Sequence, residues 1–482
     1  MMHAGRLFIG GTWQKPATDE QIDVVSPHDE TVVATVAAAA PADVDRAVEA
    51  ARSAFDAGPW PRLDPAERIA AIGRLAEAYG ARRKEMAATI TQEMGVPISF
   101  GKFAQATLPM VLMNAFGALA QGIEWEATRP GFFGTDLVVR KEPIGVVGAV
   151  VPWNMPQFLL VGKLAPALLA GCTIVIKPSP ETPLDALLLG EIIEEAGLPE
   201  GVVSIIPGGR ETGAHLVAHP GVDKVAFTGS TAVGRSVGEV CGRQLKRVSL
   251  ELGGKSAAIV LDDADPAAVA EGVKVAGFMN SGQACVAQTR VLVPERRADE
   301  YVDALATMVD SVCTGDPTDP ATEIGPLVAK RQQERVRGYI ETGEREGARL
   351  VVGGSKQPDG LDRGWYVRPT LFADVDNRST IAREEIFGPV LSVIPYASDE
   401  DAVRIANESD YGLSGSVWSA DRQRALAVAR DIRTGTCGIN EPYSMDPFGP
   451  FGGVKASGIG RELGREGLDS YLETKSISIS KA

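Results

Sequence analysis

The stretch GVVGAVVPWNMPQFLLVGKLAPALLAGCTIVIKPS, residues 145–179, sets the fold. It opens on an apolar run, Gly145–Val151, turns at Pro152-Trp153-Asn154, takes a helical spacing over Gln157–Ala170, and closes on a second apolar run, Thr173–Lys177. The same alternation continues downstream. Strands are expected at Val202–Ile206, Lys224–Phe227 and Arg247–Leu250, and helices at Pro183–Ala196, Glu211–Ala218 and Val233–Leu245. Strands that are apolar throughout, alternating with helices, indicate a parallel sheet covered on both faces. Ligands bind such sheets at the carboxyl ends of the strands. The unusual polar residues stand at those ends: Trp153 and Asn154, Lys177 and Ser179, Gly229 and Ser230, and Glu251.

Outward from this centre, Arg6–Gly11 and the residues from Thr12 read as a hairpin, and Pro41 to about Gly122 as helical. Asp43 is expected to cap one helix. Asp64, with Pro65 next and Glu67 three residues on, starts another. This helical region carries no obvious chemistry. A second α/β pattern follows, with a strand at Ser256–Leu261, a helix after Asp265, and a strand at Arg290–Val293, and it extends to about Asn440. Ser470–Ser480 alternates polar and apolar residues and reads as an exposed strand that would be a liability unpaired, so pairing with another subunit is expected.

Composition narrows the function. The chain of 482 residues, 44% hydrophobic and 23% charged, has the make-up of a globular enzyme, and its length calls for about two or three domains. Its net charge of −15 argues against nucleic acid or an anionic membrane as partner. The apolar stretch Phe158–Ile176 is broken by Lys163, Pro166 and Gly171, and so reads as helix, turn and strand rather than a membrane span. The start lacks a secretory pattern, and five cysteines without regular spacing indicate reduced thiols; a cytoplasmic location is expected. Among only four histidines no histidine–carboxylate cluster stands out, so no metal is expected.

Two short segments carry the chemistry. Cys285, in Gly282-Gln283-Ala284-Cys285, offers a nucleophile, and Glu251, opening Glu251-Leu252-Gly253-Gly254, a carboxylate. A thiol that attacks an electrophilic carbon and a carboxylate that activates water are the minimum for covalent catalysis followed by hydrolysis. Asn154 can point an amide at an oxyanion, and the turn Thr228-Gly229-Ser230 enters a helix whose N-terminus can face a phosphate. Each feature has an ordinary alternative. A free cysteine is commonly a small buried hydrophobe, a Gly-Ser turn a helix cap, an asparagine a turn residue, and a strand-end lysine a solvated charge. The spacing at 229–234 is not that of the usual dinucleotide fingerprint.

Taken together the motifs PWNMP (152–156), KPSPETP (177–183), FTGSTAVG (227–234), ELGGKS (251–256), GQACVAQTR (282–290), EEIFGPV (384–390) and PFGGVKASGIGRELG (450–464) resemble those of the NAD(P)-dependent aldehyde dehydrogenases, in order and over essentially the whole chain. The resemblance implies an α/β fold with three parts. A Rossmann-type parallel-sheet cofactor domain would span 1–120 and 144–250, an α/β catalytic domain 251–440, and small β oligomerisation strands 121–143 and 463–482, in a homodimer or homotetramer. It implies Cys285 as nucleophile, Asn154 and the Cys285 backbone N–H as oxyanion donors, and Glu251 as the base for thioester hydrolysis. Lys163 and Glu462 resemble a secondary proton path. Trp153, Lys177, Ser179, Gly229, Ser230, Glu385 and Phe387 fall at cofactor-binding positions. Met155, Phe158, Gly162, Ala284, Val286, Met445 and Phe451 fall along the aldehyde tunnel.

An apolar tunnel with small residues beside the nucleophile implies a medium-chain, aromatic or terpenoid-like aldehyde, since a charged one would lose hydration without gaining partners. One departure concerns the cofactor. Many NAD-preferring relatives place a glutamate three residues after the ribose lysine, and here that position is Pro180, with Glu181 next. NAD is expected, with NADP possible. Three rival readings remain: a CoA-acylating dehydrogenase, which generally lacks the Glu251 equivalent; an idle structural or binding protein on the same scaffold; and a cofactor-free cysteine hydrolase, which usually wants a paired histidine.

Overall fold

The computed structural model describes residues 3–442 and 445–480. The five strands expected in the middle form at Val146–Val150, Thr173–Lys177, Val203–Ile205, Lys224–Thr228 and Arg247–Glu251, all in parallel. Their order runs 247–251, 224–228, 146–150, 173–177, 203–205, so the chain builds outward from Val146–Val150 first to one side and then to the other. That reversal opens a crevice above the carboxyl ends of the central strands. The sheet is not parallel to its edges. The hairpin Leu7–Ile9/Thr12–Gln14 closes one side and Gly458–Ile459 the other, both antiparallel, which leaves neither parallel edge strand bare.

A second, seven-stranded sheet contains Ala257–Val260, Arg290–Pro294, Val390–Tyr396 and Gly415–Trp418 in parallel, with an antiparallel outer strand, Arg349–Val352. The third sheet has three antiparallel strands, Leu472–Ser480, Thr135–Pro143 and Glu126–Pro130. It corrects one expectation. The C-terminal strand pairs along its whole length with Thr135–Pro143 of its own chain, and only its outer edge is left without a strand. Residues 481–482 of the expected oligomerisation range lie outside the described residues.

The helix Pro156–Ala170 is buried on every side, so it needs no polar face, and it runs through Pro166. Helix Pro65–Met94 begins as expected: Asp64 is the N-cap and its N–H donates to the Glu67 carboxylate. Asp43 is not an N-cap. The helix starts at Pro41, and Asp43, buried in the first turn, accepts from the N–H groups of Ala40 and Ala17. The segment Ile98–Gln121 is long and apolar enough to cross a membrane by length and composition, but it packs on Pro65–Met94 and Pro156–Ala170. It includes a π-helical turn, Gly101–Thr107.

Candidate active site

A cleft of about 520 Å³ lies over the crevice, within the size range of small-molecule sites. Trp153, Asn154, Gly229, Ser230, Cys285, Glu385 and Phe387 line it, joined by Arg331, Gln332 and Arg335. The first four come from loops above the first sheet and Cys285 from the loop before Arg290–Pro294 of the second, so the cleft is shared by the two.

Close approach of the two loops depends on Gly254: a Cβ there would stand 2.3 Å from the Cys285 carbonyl oxygen. Cys285 is partly covered and faces the cleft. Burial, then the carboxyls of Glu385 and Glu251, push its thiol up to about 12. It therefore rests as a thiol and needs a base to become a nucleophile.

Glu251 is the last residue of its strand. Its side chain is buried, and among the described residues neither carboxylate oxygen has a hydrogen-bond partner. Burial and then Glu462 raise its pKa well above the usual carboxylate value. It packs tightly on Gly452, where a Cβ would come within 2.6 Å of Oε1. The buried ammonium of Lys163 donates to Thr228 Oγ1 at 2.7 Å and pairs with Glu462. The Lys163 and Glu462 charges both act on Glu251, Lys163 opposing the rise that Glu462 produces.

Asn154 is also buried. Its Nδ2 donates to the Gln283 carbonyl at 3.0 Å, two residues before the cysteine. An amide nitrogen carries two N–H groups, so one remains.

On the cofactor side, Ser230 caps the helix Thr231–Gln244 and lines the cleft, so it is both a cap and a wall. Trp153 and Phe387 meet edge to face at 5.3 Å. Phe387 has φ 64°, a conformation few side chains adopt and one often retained at functional sites. Glu385 accepts from the Gly254 N–H at 3.0 Å, and burial raises it to about 7. Lys177 and Ser179 are buried beside the cleft rather than lining it. Burial lowers Lys177 to about 8, against the pull of Glu181. The Ser179 hydroxyl donates to Glu181. This set fits a dinucleotide: a helix N-terminus and two arginines suit a pyrophosphate, and the Glu385 carboxylate suits ribose hydroxyls.

Of the expected tunnel residues, Met155, Phe158, Ala284, Val286 and Phe451 belong to one apolar cluster, with Met445 partly buried against it. Phe158 and Gly162 are one turn apart on the same helix. A Cβ at Gly162 would meet only Leu463, at 3.8 Å, so the glycine leaves space there.

Sequence reasoning missed several residues. Gln105 and Asn280 both bond the Asn154 backbone; the first lies in a region read as chemically silent, the second two residues before a quoted motif. Arg331 carries no motif signal. A histidine–carboxylate cluster, unseen in the sequence, also forms, because folding brings Asp45 to His215 at 2.6 Å and to His219 at 3.3 Å. His219 Nδ1 accepts from the Gly221 N–H, which leaves its proton on Nε2 facing Asp45.

The family model "Aldehyde dehydrogenase family" matches residues 13–477. Geranial dehydrogenase of Castellaniella defragrans is 48% identical, over 98% of each chain. Among solved structures, a Mycobacterium tuberculosis aldehyde dehydrogenase complexed with NAD+ superposes with a TM-score of 0.96 at 51% identity, covering 98% of this chain and 97% of that one. A Pseudomonas syringae aldehyde dehydrogenase mutant in complex with NAD+ and octanal gives 0.96 at 41%, covering 100% and 98%.

Proposed function

Since the chain belongs to the aldehyde dehydrogenase family and is an NAD-dependent oxidoreductase, we propose that it oxidises an apolar medium-chain, aromatic or terpenoid-like aldehyde to the carboxylic acid through a thioester on Cys285. The observation that carries this reading is the cleft in which Cys285 and Asn154 meet the dinucleotide-fitting residues Ser230, Glu385 and Phe387.

Glu251 takes the proton of the Cys285 thiol, directly or through water, and the sulfur adds to the aldehyde carbon. The remaining N–H of the Asn154 amide and the Cys285 backbone N–H hold the oxyanion that forms. Bound NAD supplies the hydride acceptor; Trp153, Ser230, Glu385, Phe387 and Arg335 would hold it, with Lys177 and Glu181 toward its adenosine end. Collapse of the tetrahedral adduct leaves a thioester on Cys285. Glu251 then withdraws a proton from the water that hydrolyses it, and the Lys163–Glu462 pair, which makes no direct hydrogen bond to Glu251, takes protons from it through intervening water. An intact Glu251 favours water over CoA as the acyl acceptor.

The substrate class is supported by the apolar cluster around Ala284 and Val286, by the space at Gly162, and by the geranial and octanal that name the relative and the complex above. Each methylene buried there adds about 0.8 kcal/mol of binding. We further propose that the three sheets described above, the largest of the four, serve as cofactor-binding, catalytic and oligomerisation units of a cytoplasmic homodimer or homotetramer. Catalytic efficiencies for geranial, octanal, benzaldehyde, acetaldehyde and succinic semialdehyde test the substrate reading. The first three are expected to lead, and a first rank for acetaldehyde or the semialdehyde overturns it.

A further inference from the structure

The backbone carbonyl of Asn154 accepts two side-chain amides, Gln105 Nε2 at 3.0 Å and Asn280 Nδ2 at 2.8 Å. A carbonyl oxygen has two lone pairs, so both are filled. Asn280 Nδ2 also reaches the Gln283 carbonyl at 3.1 Å, the same oxygen that receives the Asn154 side chain. The loop that carries Cys285 and the turn that carries Asn154 are thereby tied through a closed ring of hydrogen bonds.

Gln105 enters this ring from a distant element. It lies in the π-helical turn Gly101–Thr107, where three successive residues, Ala104, Gln105 and Ala106, are buried. A regular helix spreads three successive side chains over about 200° of its circumference, so burying all three means that this segment is enclosed on most of its sides. The turn points a long polar side chain into the apolar cluster around Met155, whose sulfur lies 3.4 Å from Gln105 Nε2. The other end of that side chain, Oε1, is buried without a partner among the described residues. Leaving one end of a buried amide unsatisfied costs free energy, so the bond made by its other end calls for an explanation. Asn280 has φ 55°, a second sparsely populated conformation on the same ring.

We propose that Gln105, with Asn280, is a positioning residue that aims the Asn154 amide at the substrate oxyanion. The proposal rests on the reading of Asn154 as the oxyanion donor. Gln105 touches neither nucleophile nor carbonyl; it acts by fixing the backbone from which the Asn154 side chain projects.

The substitution Gln105→Met removes the donor and nearly conserves volume. Hydride transfer, followed as NADH formed in a single turnover, is expected to slow by roughly tenfold to a hundredfold, as for a small misplacement of a catalytic group. The Kd for NAD and the KM for the aldehyde are expected to stay within about twofold of wild type, and in an Asn154→Ala background the same substitution should change the rate by less than about twofold. Undiminished transfer in Gln105→Met, or an equal loss in both backgrounds, overturns the proposal. If Asn154→Ala loses rate and Gln105→Met does not, only the clamp falls. If Asn154→Ala loses nothing, the oxyanion reading and the clamp fall together. Should Gln105→Met not fold, Asn280→Asp gives the same readout, since it removes a donor while keeping a residue that tolerates positive φ; full transfer by that variant also overturns the proposal.

Discussion

Arg331, on the wall of the cleft, forms an ion pair with Glu181 at 2.5 Å, and Glu181 in turn accepts the hydroxyl proton of Ser179. The carboxylate that Pro180 does not supply is thus present one residue later, and its charge reaches the Lys177 ammonium. With the cofactor held as proposed above, a carboxylate there would accept ribose hydroxyls and repel a 2′-phosphate.

Wild-type enzyme is therefore expected to use NAD more efficiently than NADP. Glu181→Gln should shift the ratio of efficiencies toward NADP by about tenfold, because Lys177 is then free to meet the phosphate. An unchanged ratio would remove Glu181 from cofactor selection.

Cys285→Ala is expected to abolish aldehyde oxidation and leave the Kd for NAD near that of wild type, since among the described residues its sulfur is the only thiol on the cleft wall. Measurable turnover by this variant would contradict the nucleophile assignment.

Glu251→Gln should slow hydrolysis of the thioester more than hydride transfer. The measurement is a burst of NADH followed by slow turnover. In the wild type, Glu251 acts as a base only when deprotonated, and its pKa is raised. Turnover should therefore fall as pH drops through that raised value, and this limb should be missing in the variant. Wild-type steady-state rates in Glu251→Gln would rule the role out.

Gly162→Trp should impair geranial and octanal selectively, by roughly tenfold or more, and acetaldehyde least, because the added ring takes up space that larger substrates need. An equal loss across the aldehydes would show that Gly162 lies off the substrate path.

A buried pair of acids predicts a pH effect on stability. Both Glu93 oxygens accept N–H groups at the start of the helix Leu184–Ala196, and Asp185, beside it, accepts from Gln157. Burial raises Asp185 to about 6 and Glu93 well above its usual value. The folded chain thus holds a proton that the unfolded chain releases near pH 4. The stability linked to that proton is complete below about pH 4 and is lost as pH rises through about 6. Asp185→Asn should flatten this slope and raise stability at pH 8 relative to wild type, on the order of 2 kcal/mol. Denaturation midpoints at pH 5 and pH 8 check it; an unchanged slope would refute it.

The parallel sheet was legible because its strands are apolar end to end, and the helices between them because their apolar residues recur at helical spacing. Cys285, Asn154, Ser230 and Glu385 were legible because each stands in a short motif at a strand or loop end. Relations that close only in space were not. The partner of Leu472–Ser480 lies more than three hundred residues away in sequence. Gln105 is invisible because it stands in no motif and its partners, Asn154 and Met155, lie about fifty residues away in sequence. Asp45 reads as an ordinary exposed acid until the fold brings two histidines to it. Asp43 was misplaced by three residues because Pro41, at the first helical position, outweighed it.

The Asn154–Gln283 hydrogen bond is a seam between the two large sheets, since each residue belongs to a loop anchored in a different one. The catalytic geometry is therefore a property of how the halves meet and not of either half. Gentle heating or dilute urea should then silence the enzyme while its circular dichroism is still that of the native protein, and cooling or dilution should restore it.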